Sequence, residues 1–393
     1  MIIYNQSWLK NLIIKDQVHH ELRTGDITTE ELKNIETAYP IGFYSPNIFV
    51  RIGLFILTAV IFSFSSGLIS IVFLASHSDN PATWSLIMGI AGYVALEIIA
   101  GQKNHFKSGV DDALMWITGG FIISAFFFYT EKTFQHNDIA QVLFTSGFIA
   151  LLSLYFTLRF VNPLMAVICF LSLLIFLAVS WNHAGAFGTA TLPFFVMILS
   201  GLGYFLSSRS MSSLKTIYYR NCLRWLQVTS LVIFYLAGNY YVVQQLGDLL
   251  YGSGVAKAYH VPMPWFFWAW TILMPFVYIS FGVKKKDVIL LRTGSVLIAA
   301  AAFTFRNYYH VMPIEATLVL IGIVMLSIAY GLIRYLKTPK NGITYEDLDE
   351  NSLSDNLKIE SLVVSAIPTH TAGAPAERFG GGSFGGGGSS GNF

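Results

Sequence analysis

The sequence predicts an all-α polytopic transmembrane helical bundle of about ten spans with both termini cytoplasmic, and three observations predict it. Residues of the set AVILMFWYC make up 54% of the 393 positions and charged residues only 12%, against roughly 25% charged in an ordinary soluble domain. Nearly uncharged runs of about 18 or more residues recur along the chain, each long enough to cross a hydrocarbon core of about 30 Å. Backbone groups in lipid must be satisfied within their own segment, so these runs are helices; the short alternating pattern of a barrel is absent. Finally, the basic residues segregate. Lys103 with Lys107, Arg209 through Arg224, and Lys284 to Lys286 all fall on the side of the amino terminus, while only Lys132, Lys257 and Arg306 fall opposite, the bias that marks a cytoplasmic face.

Residues 1–46 read as a cytoplasmic helical hairpin. Trp8, Leu9, Leu12, Ile13 and Val18 supply an apolar side to its first helix, and Gly25 is the expected stop. Thr28 and Glu31 form a capping box that opens the second helix, and Tyr39-Pro40 closes it. Because this opening is polar, insertion is expected through the first span and not through a cleaved signal.

The membrane domain is expected over 47–337, with spans at 50–75, 83–101, 112–130, 139–159, 164–181, 189–207, 224–245, 263–282, 288–306 and 313–335. Trp84, Trp116, Trp181, Trp225 and Trp265 stand at span ends, as an interfacial aromatic belt requires. Gly89, Gly92, Gly119, Gly120, Gly201, Gly203 and Gly322 lie inside spans, where small residues permit close helix approach. Residues 338–367 form an acidic segment with room for a short amphipathic helix, and 368–393 a Gly/Ser-rich tail that buries too little to fold.

Ionisable groups at membrane depth each cost about 2.5 to 3.5 kcal/mol at a helix centre and call for partners. Glu97, Arg292, Arg306 and Glu315 are the candidates. Arg292 is expected to pair with Glu97 or with Asp111 and Asp112, and Arg306 with Glu315; snorkelling to the interface is the alternative. Arg292, Ser295, Ala299, Ala302 and Arg306 recur at helical spacing, which makes Ser295, Ala299 and Ala302 a candidate close-packing face. The two arginines stand about 21 Å apart along the helix and cannot share one site. Deeper polar groups are mild: Ser63, Ser65, Ser66, Thr118, Ser146 and Asn239.

No catalytic, cofactor-binding or metal-ligating set emerges. The glycine-rich patterns around Gly380 to Gly385 neither follow a strand nor open a helix, so they are low-complexity coincidences. His19 and His20 project to different faces of a helix. Cys169 and Cys222 suggest neither a disulfide nor a metal site.

Tyr39 through Phe55, Phe106 through Leu114, and Leu291-Arg292 through Tyr309-His310 carry a resemblance. In these stretches the chain resembles a family of bacterial multi-spanning membrane proteins of unknown function that bear a short cytoplasmic hairpin before many spans. The resemblance implies an inner-membrane location and transfers no activity and no catalytic residue. The tail is similar to tails on other bacterial membrane-anchored proteins. The expected partners are the lipid bilayer and a protein docking at the amino-terminal hairpin or the carboxy-terminal tail, with no nucleic acid. A non-enzymatic role in assembly or envelope scaffolding is the leading expectation. A secondary transporter or channel for a small solute comes next, its path lined by Asn239 or the serines of the first span, and a membrane-embedded enzyme last.

Overall fold

A computed structural model describes residues 2–24, 27–75, 80–135, 137–251 and 261–309, with scattered positions between 313 and 334. The hairpin stop Gly25, the acid Glu315, most of the expected tenth span and the segments 338–367 and 368–393 lie outside the described residues. Among those described, all regular structure is helical apart from an isolated bridge between Tyr44 and His105. They divide into two compact units, a small one over Ile14–Pro40 and a larger one comprising the chain before it and the chain from Ile41 onward.

The small unit is a pair of helical segments. Ile14 and Val18, on the second half of α1 (Gln6–Thr24), are buried with Ile35 of α2 (Thr29–Ala38). The capping box forms: the Thr28 hydroxyl accepts from the Glu31 amide at 3.3 Å, and the Glu31 carboxylate accepts from the Thr28 amide at 2.8 Å. Lys15 pairs with Glu36 at 2.8 Å and holds the Glu36 carboxyl below its usual range.

In the larger unit the helices are α3 (Ile48–Ala75), α4 (Pro81–Glu97), α5 (Val110–Thr133), α6 (Asp138–Phe160), α7 (Pro163–Asn182), α8 (Ala186–Met211), α9 (Arg220–Gly238), α10 (Tyr240–Tyr251), α11 (Pro264–Lys285) and α12 (Val288–Tyr309). Eight of these are long and apolar enough to cross a membrane, and α9 with α10 counted as one bent span makes nine. The dominant packing is pairwise, α4 on α5, α6 on α7, α8 on α9 and α11 on α12. Each pair is joined by a short connection, and all four connections lie at the end that carries the basic residues. Asn162 shows how such a corner is made: Val161 turns into the left-handed region, the Asn162 side chain accepts from the Leu164 and Met165 amides, and Pro163 opens α7, as helix starts favour.

Close approach explains the α4–α5 pair. A Cβ at Gly89 would stand 2.7 Å from Ile122, and one at Gly92 2.6 Å from Thr118. Among the described residues nothing stands within 4 Å of a Cβ at Gly120 or Gly322, so neither supplies a close approach there.

The expected seventh span is not continuous. The chain bends by 75° between α9 and α10. Gly238 lies against the Trp270 ring, where a Cβ would approach to 2.3 Å, and Asn239 leaves helical geometry at φ −75° and ψ 126°. The Asn239 carbonyl oxygen of the side chain then accepts from the Val242 amide and starts α10. With 19 residues, α9 alone extends about 28 Å, close to a bilayer core.

On α12 the packed residues are Leu290, Thr293, Leu297 and Thr304, whereas Ser295, Ala299 and Ala302 are only half-buried. The most buried stripe of α12 lies two residues, or about 200° round the helix, from the expected one. Gly294 supplies the reason, since its missing side chain admits Tyr278 and Ile279 of α11 and sets which stripe turns inward.

Candidate functional site

The connection from α4 to α5 is the least regular part of the bundle. After Glu97 the helix widens into a π turn over Ile98–Gln102, a feature frequent at functional positions. Asn104, Lys107 and Gly109 then take positive φ values of 55°, 50° and 95°. Gly109 has no alternative, because a Cβ there would stand 2.1 Å from the Arg51 carbonyl oxygen of α3. Asp111, on the first turn of α5, fixes this loop: one carboxylate oxygen accepts from the Lys107 amide at 2.8 Å, the other from the Ser108 amide and hydroxyl at 2.8 and 2.9 Å. A carboxylate at a helix N-terminus is also favoured by the helix dipole.

Its neighbour Asp112 faces α3. Arg51 donates from Nε at 3.0 Å and from Nη2 at 2.6 Å to one Asp112 oxygen, and Asn162 donates to the other at 3.4 Å. Both aspartates are buried, at 2% and 8% exposure, so their satisfied state is required and not ornamental. Around them lies a groove of about 480 Å³. Its polar floor is formed by Arg51, Lys107, Asp111, Asp112 and Asn162, and its walls include Ile52, Phe55 and Trp116. Tyr4, from the start of the chain, also lines it; burial pushes its hydroxyl well above the ordinary range, and Asp111 and Asp112 add to that.

A second cluster joins α4 to α6. Arg159 holds Glu97 in a bidentate pair, Nε to Oε1 at 2.9 Å and Nη2 to Oε2 at 2.8 Å. Tyr93 donates to the same Glu97 carboxylate, and its hydroxyl lies 2.5 Å from that of Tyr155. Tyr93 and Glu97 are one turn apart on α4, as are Tyr155 and Arg159 on α6, so two helix faces meet in a four-residue ladder. A third cluster sits at the α9–α10 break. Asn239, at 2% exposure, donates to Tyr235 at 3.1 Å and to Thr304 at 3.0 Å, while the Thr271 hydroxyl accepts from the Tyr240 amide.

These positions correct the expected pairings. Glu97 is engaged by Arg159 and Asp112 by Arg51, so neither meets Arg292, which is exposed on α12. Arg306 is half-buried near the other end of α12, and its expected partner Glu315 is outside the described residues. Among the deeper polar groups, Ser66 and Ser146 donate back to carbonyls of their own helices, and Thr118 is fully buried against Gly92. Arg51, Arg159, Tyr93 and Tyr155 were absent from the sequence candidates. The signal for them is the one-turn spacing Tyr93/Glu97 and Tyr155/Arg159, and the placement of both arginines at span ends beside acids on neighbouring spans. No family model, curated protein or solved structure matches this chain.

Proposed function

We propose that the chain is a ten-span protein of the bacterial inner membrane with both termini in the cytoplasm. In this reading it works without catalysis, as a platform for assembly at the cell envelope, and the groove at the basic end of the bundle is its working surface. The observation that supports this is the groove itself: a strained loop, fixed by the buried Asp111 and set beside the buried Asp112–Arg51 pair, leaves Lys107 beside an open cavity. Backbone strain of about 1 to 3 kcal/mol per residue persists only where the surroundings impose it, and it concentrates at functional sites. The positive-inside distribution supports an orientation with that end toward the cytoplasm.

A solute carrier or channel is the second reading, favoured by the broken helix at Asn239 and the buried polar network there, since carriers place binding groups at interrupted spans. One complementation experiment separates the two. In a strain lacking the gene, with accumulation of each variant verified by immunoblot, Lys107→Gln is expected to fail to restore the deletion phenotype and Asn239→Ser to restore it. The opposite pattern favours the carrier.

A further inference from the structure

We infer that the groove beside Lys107 and Arg51 is a phospholipid site, with the phosphate bound by those two cations and an acyl chain laid along α3 and α5; this rests on the groove reading above. The carboxylates are not open for a ligand. Asp111 accepts three hydrogen bonds from the loop, and Asp112 is held by Arg51 and Asn162. The cations have capacity left. A guanidinium carries five N–H donors, and Arg51 gives Asp112 only its Nε and Nη2 groups. The Lys107 amine lies over the Phe106 ring, 5.2 Å from its centre, and makes no ion pair among the described residues.

The walls match the other half of such a ligand. Ile48, Ile52, Phe55, Trp116 and Leu164 line the groove and are 61%, 52%, 37%, 38% and 42% exposed, so the apolar side of the cavity is continuous with surface that requires a hydrocarbon environment. Charged donors at the span ends next to an exposed apolar wall with a tryptophan fit a headgroup at the interface and a chain below it. A soluble anion would use the cations and leave the wall uncovered; a neutral lipid would use the wall and leave the remaining donors of Arg51 and the Lys107 amine unused. The phosphodiester of a glycerophospholipid uses both.

Native mass spectrometry of the full chain, released from detergent with phosphatidylglycerol or with diacylglycerol, tests this. One retained phosphatidylglycerol is expected, with affinity reduced about tenfold or more in Lys107→Gln, the scale of one charge-assisted hydrogen bond, and recovered in Lys107→Arg. Diacylglycerol is expected not to be retained, and inorganic phosphate not to raise the melting temperature. Equal retention by Lys107→Gln, equal retention of diacylglycerol, or stabilisation by inorganic phosphate alone would each overturn the proposal. Retention that ignores Lys107, together with failed complementation by Lys107→Gln, removes the lipid and leaves the groove; retention that depends on Lys107 with successful complementation does the reverse.

Discussion

Gly109→Ala is expected to lose about 2 to 6 kcal/mol and to sharply reduce accumulation of folded protein. Two costs add. The residue sits at φ 95°, where an L side chain is strained by about 1 to 3 kcal/mol. Its new methyl would stand 2.1 Å from the Arg51 carbonyl oxygen, a backbone atom that cannot rotate away, and overpacking of this kind costs about 1 to 3 kcal/mol more. Against a typical total stability of 5 to 15 kcal/mol, the sum is large. Gly120→Ala is the control, since open space surrounds that position and alanine is the better helix former by roughly 0.5 to 1 kcal/mol. Fluorescence-detected size-exclusion profiles and melting temperatures check both. A Gly109→Ala protein that melts within a degree or two of the parent would show that α3 and the α4–α5 loop are not in contact as described.

The second large effect is at the Glu97–Arg159 pair. Arg159→Ala is expected to cost about 2 to 3 kcal/mol, because it strips a bidentate partner from a carboxylate that is three-quarters buried and leaves Tyr93 as its remaining donor. A fully buried pair would cost about 3 to 5 kcal/mol when one member is removed; the partial exposure of both residues lowers this. Arg159→Lys is expected to recover only part, since an ammonium cannot reproduce two parallel N–H donors. The double variant Glu97→Gln with Arg159→Gln is expected to be less destabilised than the sum of its single variants, with a coupling of about 1 to 3 kcal/mol. Arg292→Gln is expected to change stability by no more than about 0.5 kcal/mol. Thermal melts in one detergent suffice, and additive behaviour of Glu97 and Arg159 would contradict the ladder.

Span positions were legible in the sequence because length and apolarity are properties of a segment by itself. The expected 112–130, 139–159 and 164–181 lie inside α5, α6 and α7. The capping box of α2 is legible for the same reason: Thr28 and Glu31 need only each other. Pairing between spans is not a local property. Arg292 and Glu97 lie at similar depth, but depth is one coordinate of three, and the order of helices around the bundle gives Glu97 to Arg159. The most buried stripe of α12 is not legible because small side chains mark a possible contact, while Gly294 admits α11 and Leu290 and Leu297 fill the space beside it. The break after Gly238 coincides with the approach of Gly238 to Trp270, thirty-two positions further along the chain, which no window around the break contains.

The groove and its corners have their proposed meaning only if the basic end faces the cytoplasm. Single cysteines at Lys103, in the α4–α5 connection, and at Phe134, which closes α5 at the opposite end, test this in a background with Cys169 and Cys222 replaced by alanine. A membrane-impermeant thiol reagent applied to intact cells is expected to label Phe134→Cys at once and Lys103→Cys only after permeabilisation. Labelling of Lys103→Cys in intact cells, with Phe134→Cys protected, would invert the bundle and contradict the account.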